Sequence, residues 1–228
     1  VCRKHDILIV EDDPYFHLQL DSVSPPSLLK YDTDGRVLRI DSFSKMLMPG
    51  MRVAIVTCNE LFSKKLAMYN ELSIHSAAAS SQLILSMIFD EWKDIGFEKW
   101  INHLQGLYKG RRDHMLKAFD EFLPSELVEF NRPNFGMFIW LKLKPEAWPK
   151  ADITMTDAQW YSHLEDVVFN ASLEKKVAFT KGKWFSVQNE SGIASFRATY
   201  SFAEFDKMTL AAERFSNTLK AVHSKLYN

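Results

Sequence analysis

Three short apolar segments near the start of the chain most constrain its fold. Residues 7–12, 37–43 and 53–57 are rich in β-branched side chains and carry few charges. Continuous apolar runs of this length are typical of strands buried on both faces of a sheet. We therefore expect part of a mostly parallel or mixed β-sheet in an α/β fold. Residues 21–36 contain two prolines and an Asp-Gly pair and are predicted to form a surface connection.

The remainder of the chain changes from a helical pattern to a mixed one. After residue 57, apolar side chains recur at three- and four-residue spacing, and a longer helix is predicted from about residue 96 to residue 122. A compact α+β unit should follow. Its expected strands are 128–130, 137–143, near 177–179 and 194–199, and its expected helices are about 158–173 and 203–226. We place a domain boundary within the long helix, giving domains 1–110 and 111–228.

Composition excludes several classes of function. The 28 Lys and Arg residues nearly balance the 29 Asp and Glu residues, without a dense basic run, so we expect no nucleic-acid partner. No stretch approaches the roughly 20 apolar residues that span a bilayer, which predicts no membrane partner. Cys2 and Cys58 lie far apart and outside metal-ligand spacings, and the histidines show no paired zinc spacing. We expect a cytoplasmic protein without a bound metal.

The most informative stretch is DSFSKMLMPGMR, residues 41–52. It resembles the lysine motif of type I pyridoxal-phosphate-dependent aminotransferases, in which arginine follows Ser-x-Ser-Lys after seven or eight residues. The resemblance implies that Lys45 forms a Schiff base with the aldehyde of pyridoxal 5'-phosphate, and that Ser42, Ser44 and Arg52 hold the phosphate. Taken alone, Ser-x-Ser-Lys more often marks a solvated lysine after a strand. The match over the full twelve residues favours the cofactor.

The second stretch, EDDPYF at residues 11–16, follows the first predicted strand, where ligands bind in open α/β sheets. It resembles the Asp-x-x-Tyr motif of the same family, which implies that Asp12, Pro14 and Tyr15 contact the cofactor. Asp12 would keep the pyridine nitrogen protonated, and Tyr15 would donate to the ring oxygen. Asp13 is the competing carboxylate, and the three-residue separation from Tyr15 favours Asp12. Without the lysine motif, a simple turn would explain this stretch better.

Two later strands resemble the substrate-binding strands of the family. ASFRATYSF, residues 194–202, contains Arg197, which the resemblance implies grips the substrate α-carboxylate through two hydrogen bonds. A structural arginine in a salt bridge is the alternative. NFGMFIWLKL, residues 134–143, resembles the Gly-Met-Phe strand, so Gly136 and Phe138 are expected to line the substrate pocket. Core packing would explain Phe138 nearly as well.

The order of these motifs resembles the carboxy-terminal half of a fold-type I aminotransferase, closest to the fungal aromatic-amino-acid and aminoadipate or kynurenine enzymes. The resemblance implies that residues 1–110 belong to the large cofactor domain and that residues 111–228 form the small domain. It also implies a homodimer that moves an amino group between an aromatic or other large amino acid and a 2-oxo acid. Complete members have an upstream half that binds phosphate and stacks on the ring, so the chain is expected to be incomplete on its own.

Three alternatives stay open from the sequence. The chain could be the cofactor-sensing effector domain of a transcription regulator, an inactive truncated paralogue, or a cofactor-free binding module. The sequence also departs from the family in AFTKGKWF, residues 178–185, where relatives usually have Pro-Gly before the aromatic pair. Lys181 stands in place of that proline, which leaves the rigidity of this loop open.

Overall fold

The chain divides into two compact units. The computed structural model describes residues 1–21, 25–187 and 192–227. Unit 1 comprises Val1–Leu107 with Asn134–Gly136, and unit 2 comprises Tyr108–Pro133 with Met137–Asn228. Residues 22–24 of the predicted surface connection lie outside the described residues.

Unit 1 is built on a three-stranded mixed sheet. Its strands are β1 (Ile9–Asp12), β2 (Val37–Ser42) and β3 (Ala54–Thr57), in the spatial order β1-β2-β3. β1 runs parallel to β2, and β3 runs antiparallel to it. The three predicted strands and the mixed sheet are therefore confirmed.

The expectation that these strands are buried on both faces is wrong for the described residues. Val10 exposes 64%, Ile55 50% and Val56 43% of its surface. A continuous apolar run indicates that both faces of a strand can be buried, but other elements must pack on the sheet to bury them. Among the residues that the structure describes, nothing covers these side chains.

The helices of unit 1 follow the sheet. Short 3-10 turns occupy Leu28–Tyr31 and Pro49–Met51. Helix α1 (Glu60–Ser73) begins at Asn59, whose side chain accepts a hydrogen bond from the backbone N–H of Phe62, 3.1 Å away. Helix α2 (Ala79–Phe122) is divided by a non-helical backbone at Lys93, with φ 48° and ψ −164°, so its second part begins close to the predicted residue 96. It continues from unit 1 into unit 2.

Unit 2 contains an antiparallel sheet and two further helices. The strands are β4 (Val128–Phe130), β5 (Phe138–Leu143), β6 (Thr180–Lys181) and β7 (Ser195–Thr199), in the order β4-β5-β7-β6. Helices α3 (Asp157–Glu174) and α4 (Phe205–Tyr227) complete the unit, with a 3-10 turn at Gly182–Phe185. Leu141, Leu164, Phe196 and Phe215 are fully buried and form the centre of its core.

One predicted strand of unit 2 is misplaced. Residues 177–179 are not a strand, and the chain instead pairs with β7 at Thr180 and Lys181. Val177 and Phe179 are buried, so their apolar character reports core packing. The remaining predicted elements of this unit agree with the structure to within about two residues, the usual uncertainty at element ends.

Gly182 should be intolerant of a side chain. A Cβ atom there would clash with the Oγ atom of Ser195 and would lie 3.0 Å from its carbonyl oxygen. We expect Gly182→Ala to lower the free energy of unfolding by about 1–3 kcal/mol through overpacking. The matched control is Gly110→Ala in α2, where a Cβ meets nothing within 4 Å and helix propensity should add about 0.5–1 kcal/mol. Urea unfolding measures both, and equal midpoints would contradict the packing argument.

Candidate active site

The functional residues predicted in unit 1 meet at one edge of its sheet. Because β1 and β2 are parallel, their carboxyl ends lie at the same edge. Asp12 ends β1, and Pro14 lies in the turn that follows it. Lys45 comes three residues after the end of β2. Arg52 precedes the antiparallel strand β3 and so reaches the same edge. The topology gathers a carboxylate, an amine and a guanidinium there.

The structure separates Asp12 from its acidic neighbours. Arg39 of β2 is buried, and its guanidinium hydrogen-bonds both carboxylate oxygens of Asp41 at 2.8–3.1 Å. It also approaches Glu11 at 3.2 Å, an ion pair without hydrogen-bond alignment, and Asp13 at 3.9 Å. The Asp12 side chain is exposed and makes no hydrogen bond or ion pair with the described residues. This difference supports Asp12 over Asp13 as the carboxylate available to a ligand.

Glu11, which precedes Asp12, is held by two hydrogen bonds and an ion pair. Burial would raise the pKa of Glu11, but hydrogen bonds from the Ser27 hydroxyl and the Leu28 N–H, together with Arg39, lower it below its ordinary value. The Ser27 hydroxyl donates to Glu11 at 2.6 Å, and the Leu28 N–H donates at 3.0 Å. The ends of β1 and β2 are thus joined by ionised side chains. This network could not be predicted from the sequence, because only the strand register brings its members together.

The amine of Lys45 has no polar partner among the described residues. The Nζ atom lies 5.9 Å from the centroid of the Tyr15 ring and makes no hydrogen bond or ion pair within the described ranges. Gly136 stands behind Tyr15: it has a φ of +77°, and a Cβ there would lie 3.6 Å from the Tyr15 ring. The Gly136 N–H donates to the Leu18 carbonyl at 3.0 Å. Lys45, Tyr15 and Gly136 are therefore brought together, and Gly136 supports the tyrosine.

The three residues predicted to hold a phosphate form one cluster. The Ser44 N–H donates to the Ser42 hydroxyl at 3.2 Å, and an Arg52 N–H donates to the Ser44 hydroxyl at 3.2 Å. Arg52 also donates to the Pro49 carbonyl at 3.0 Å and adopts a left-handed conformation with φ 52°. Its guanidinium contacts only neutral oxygens among the described residues. Two hydroxyls and an uncompensated guanidinium suit a phosphate dianion.

Arg197 in unit 2 has an unusual environment. It lies in β7 opposite Trp140 of β5 and Thr180 of β6. Its guanidinium carbon lies 4.0 Å from the centroid of the Phe138 ring and 4.1 Å from that of Phe185. Its Nε atom is buried and has no hydrogen-bond partner among the described residues, and none of their carboxylates forms a salt bridge with it. The salt-bridged structural alternative therefore has no support, and the unpaired donor fits an anionic ligand.

Phe138 could be predicted as a site residue from the sequence, whereas Phe185 could not. Phe138 is half-buried, and its ring lies against the Arg197 guanidinium, 4.0 Å from the guanidinium carbon to the ring centroid. Phe185 is not among the residues that the sequence predicts for the site. The sequence gives little indication of a role for Phe185, because an aromatic side chain at the end of a turn usually packs in the core or lies on the surface.

Membrane-spanning helices and metal clusters are both absent from the described residues. No helix within the described ranges combines the length and the apolar character needed to cross a membrane. In the same residues, no group of three His, Cys, Asp or Glu side chains is arranged to hold a metal ion.

Comparison with known proteins identifies the family. The profile of the family "Aminotransferase class I and II" matches residues 1–215. The chain therefore belongs to the class I and II aminotransferases. An aromatic amino acid aminotransferase of Schizosaccharomyces pombe, C569.07, is 32% identical over 240 residues, which cover 96% of this chain and 50% of that protein. The chain thus spans about half the length of the curated relatives it matches.

Solved structures agree with this assignment. The aminotransferase Aro8 from Candida albicans superimposes with a TM-score of 0.88 at 26% identity, over 98% of this chain and 52% of that chain. The α-aminoadipate aminotransferase LysN from Thermus thermophilus, complexed with N-(5'-phosphopyridoxyl)-L-leucine, gives a TM-score of 0.82 at 25% identity, over 98% and 53% of the two chains. The resemblance to aromatic-amino-acid and aminoadipate aminotransferases is confirmed. The roles of the individual residues remain predictions.

Proposed function

We propose that this chain forms the carboxy-terminal part of a pyridoxal-phosphate-dependent enzyme that moves an amino group between an aromatic or other large amino acid and a 2-oxo acid. The observation that carries the proposal is the sheet edge in unit 1, where Lys45, Asp12 and Arg52 lie without a charged partner among the described residues. Residues 1–110 would belong to the large cofactor domain and residues 111–228 to the small domain.

The residues at this edge fit the cofactor. Bound pyridoxal phosphate supplies an electron-withdrawing ring that accepts the electron pair from the substrate α-carbon. Lys45 would hold the cofactor covalently and, once released, carry the proton away from that carbon. Asp12 would accept a hydrogen bond from the ring nitrogen, and Tyr15 would donate one to the ring oxygen, beside Pro14. Ser42, Ser44 and Arg52 would bind the phosphate.

Three residues are proposed to serve the substrate. Arg197 offers a guanidinium whose donors suit a carboxylate, and Phe138 stacks against it. Gly136 would keep Tyr15 in place. Aromatic or large amino acids are the substrates we propose, because the named relatives include aromatic and aminoadipate aminotransferases.

We also propose that the protein is a cytoplasmic homodimer. Helix α1 has no buried residue among those described, and Leu61, Met68, Tyr69 and Leu72 are all exposed on it. An apolar surface of this kind is typical of a protein interface. The two widely spaced cysteines fit a reducing compartment.

The proposed activity can be tested directly on the intact protein, which means residues 1–228 together with any further chain of the same polypeptide. Purified protein should bind pyridoxal phosphate and transfer amino groups from at least one of phenylalanine, tyrosine, aminoadipate or kynurenine to 2-oxoglutarate. The visible spectrum measures the cofactor, and chromatography of the products measures transfer. Cofactor binding without transfer from any of the four amino acids would contradict the proposed enzymatic activity and favour a cofactor-sensing effector domain. Absence of cofactor binding would contradict both.

Arg197→Lys should weaken substrate binding. An ammonium cannot make the two parallel hydrogen bonds of a guanidinium, so we expect KM for the amino acid to rise at least about tenfold, equivalent to roughly 1.4 kcal/mol. The absorbance of the bound cofactor should not change. Arg132→Lys is the control, because Arg132 is an exposed arginine paired with Asp120. An unchanged KM in the Arg197 variant would mean that another group binds the carboxylate.

Residues 1–228 expressed alone should bind the cofactor more weakly than the intact protein. The reason is the exposed apolar surface of β1 and β3, including Val10 and Ile55, which indicates that further chain covers this sheet. A misplacement of about 1 Å at the reacting atoms can lower the rate on the order of 100-fold. Titration with pyridoxal phosphate, followed by an amino-transfer assay, measures both effects. Tight stoichiometric binding with full turnover would refute this expectation.

A further inference from the structure

Residues 180–185, which we call the lysine segment, carry an aromatic ring to Arg197. The segment consists of β6 and the 3-10 turn that follows it, and it ends at Phe185. Phe185 and Phe138 each lie about 4 Å from the Arg197 guanidinium carbon, at 4.1 and 4.0 Å respectively. Thr180 pairs with Arg197 in the strand ladder. Both ends of the segment therefore adjoin the predicted carboxylate-binding residue.

A single carboxylate holds two side chains of the lysine segment. Asp166 of α3 accepts hydrogen bonds from the Lys181 and Lys183 amines, each at 2.6 Å and each on a different oxygen. Burial would raise the pKa of Asp166, but the two lysines lower it below its ordinary value. Lys183 also donates to the hydroxyl of Ser162 at 3.1 Å. The segment is thereby tied to α3.

The backbone of the lysine segment is held as well. Glu165, which is fully buried, accepts a hydrogen bond from the Lys183 N–H at 2.9 Å and another from the Ser195 N–H at 2.9 Å. This carboxylate links the segment to β7 two residues before Arg197. Gly182 fits directly against Ser195, where no Cβ has room. The rigidity that relatives are expected to obtain from proline is supplied here by packing and charge.

The ring contacts suit an arginine that must receive an anion. A carboxylate partner from the protein would occupy the guanidinium donors, whereas an aromatic face attracts the cation and leaves its N–H groups free. Arg197 has such ring contacts, and its buried Nε has no hydrogen-bond partner within the part of the chain that the structure describes. Two rings at this distance also restrict the orientation of the guanidinium plane. Restricting that orientation before binding reduces the entropy lost when a ligand is held.

We propose that Phe185 and Asp166 are positioning residues for recognition of the substrate carboxylate. Phe185 acts by direct contact with the guanidinium of Arg197. Asp166 acts through Lys181 and Lys183, which fix the segment that carries Phe185. The ligand class is the α-carboxylate of the amino acid and of the 2-oxo acid. This inference rests on the proposed function, because it takes Arg197 as the carboxylate-binding residue.

The first test replaces the ring in the intact protein. Phe185→Leu should raise the Kd of 3-phenylpropionate, a substrate-like monocarboxylate, by about 3- to 30-fold, the range of one cation–π contact. KM should rise in parallel while kcat changes little. Phe185→Tyr retains the ring and should bind like the wild type. Phe202→Leu is the matched control, because Phe202 is 93% exposed. Calorimetric titration gives Kd, and thermal unfolding checks the fold.

The second test removes the Asp166 carboxylate, which binds Lys181 and Lys183 of the lysine segment. Asp166→Ala should weaken 3-phenylpropionate binding in the same direction as Phe185→Leu, and combining the two should add little to Phe185→Leu alone. Such non-additivity is expected only if both act through the ring. Asp157→Ala is the control, because Asp157 lies in the same helix and pairs with Lys150 at 2.9 Å. A merely structural role for Asp166 predicts additive effects.

The outcomes separate this inference from the proposed function. If Arg197→Lys weakens 3-phenylpropionate binding but Phe185→Leu does not, the inference is wrong and the function stands. If Phe185→Tyr weakens binding as much as Phe185→Leu, the ring contact is not the cause and the inference is also wrong. If Arg197→Lys has no effect either, the assignment of Arg197 itself fails.

Discussion

Lys45→Ala in the intact protein should lower the rate of amino transfer by at least about 10²- to 10⁴-fold. That range is the usual contribution of a positioned general base, and the variant also loses the covalent attachment of the cofactor. The Lys45 amine lies at the carboxyl edge of the sheet, 5.9 Å from the Tyr15 ring, without a polar partner among the described residues. A group held in this way is available for chemistry.

The control for Lys45→Ala is Lys117→Ala. Lys117 is an exposed lysine of α2, away from the proposed site and the proposed interface, so its loss should leave turnover unchanged. Single-turnover measurements with phenylalanine follow the proton-transfer step in both variants. If Lys45→Ala kept a tenth or more of the wild-type rate, another group would have to be the base.

Asp12→Asn should lower kcat by about 10²- to 10³-fold, the usual cost of removing one preorganised electrostatic partner from an active site. An amide cannot keep a ring nitrogen protonated as a carboxylate does. Cofactor affinity should fall much less, because Ser42, Ser44 and Arg52 still offer the phosphate contacts. Stopped-flow half-reactions measure the rate, and absorbance titration measures the affinity.

Asp13→Asn provides the matched control for Asp12→Asn. Asp13 is next in sequence, but it lies 3.9 Å from Arg39 in the ion network beneath the sheet edge. Its replacement should change kcat by no more than about fivefold, as expected for a weak ion pair. A larger effect at Asp13 than at Asp12 would reverse the assignment of the two carboxylates.

The sequence predicted those parts of the fold that depend on local pattern. The β-branched runs located β1, β2 and β3, and helical periodicity located α3 and α4. The predictions from sequence were wrong where contacts with residues distant in the chain determine the structure. The strand expected at residues 177–179 formed instead at Thr180–Lys181, because pairing with Arg197 and Phe196 of β7 sets the register. The exposure of Val10 could not be predicted either, because periodicity does not report what covers a face.

The candidate site divides in the same way. Lys45, Asp12 and Arg52 could be proposed from the sequence, because they lie in short motifs that resemble those of the aminotransferase family. Arg39 and Phe185 could not, since their importance arises from contacts across strands. Arg39 meets Glu11 and Asp41 only when β1 and β2 are in register. Phe185 reaches Arg197 only because the lysine segment folds beside β7.

Borohydride reduction of the cofactor-loaded intact protein, followed by peptide mass mapping, tests whether Lys45 forms the Schiff base with pyridoxal phosphate. Reduction makes the link between a lysine and pyridoxal phosphate permanent, so the modified residue can be identified by its mass. We predict a single phosphopyridoxyl adduct on the peptide that contains Lys45, and its absence from the Lys45→Ala variant. An adduct on another lysine, or none in a sample whose spectrum shows bound cofactor, would contradict the assignment of Lys45.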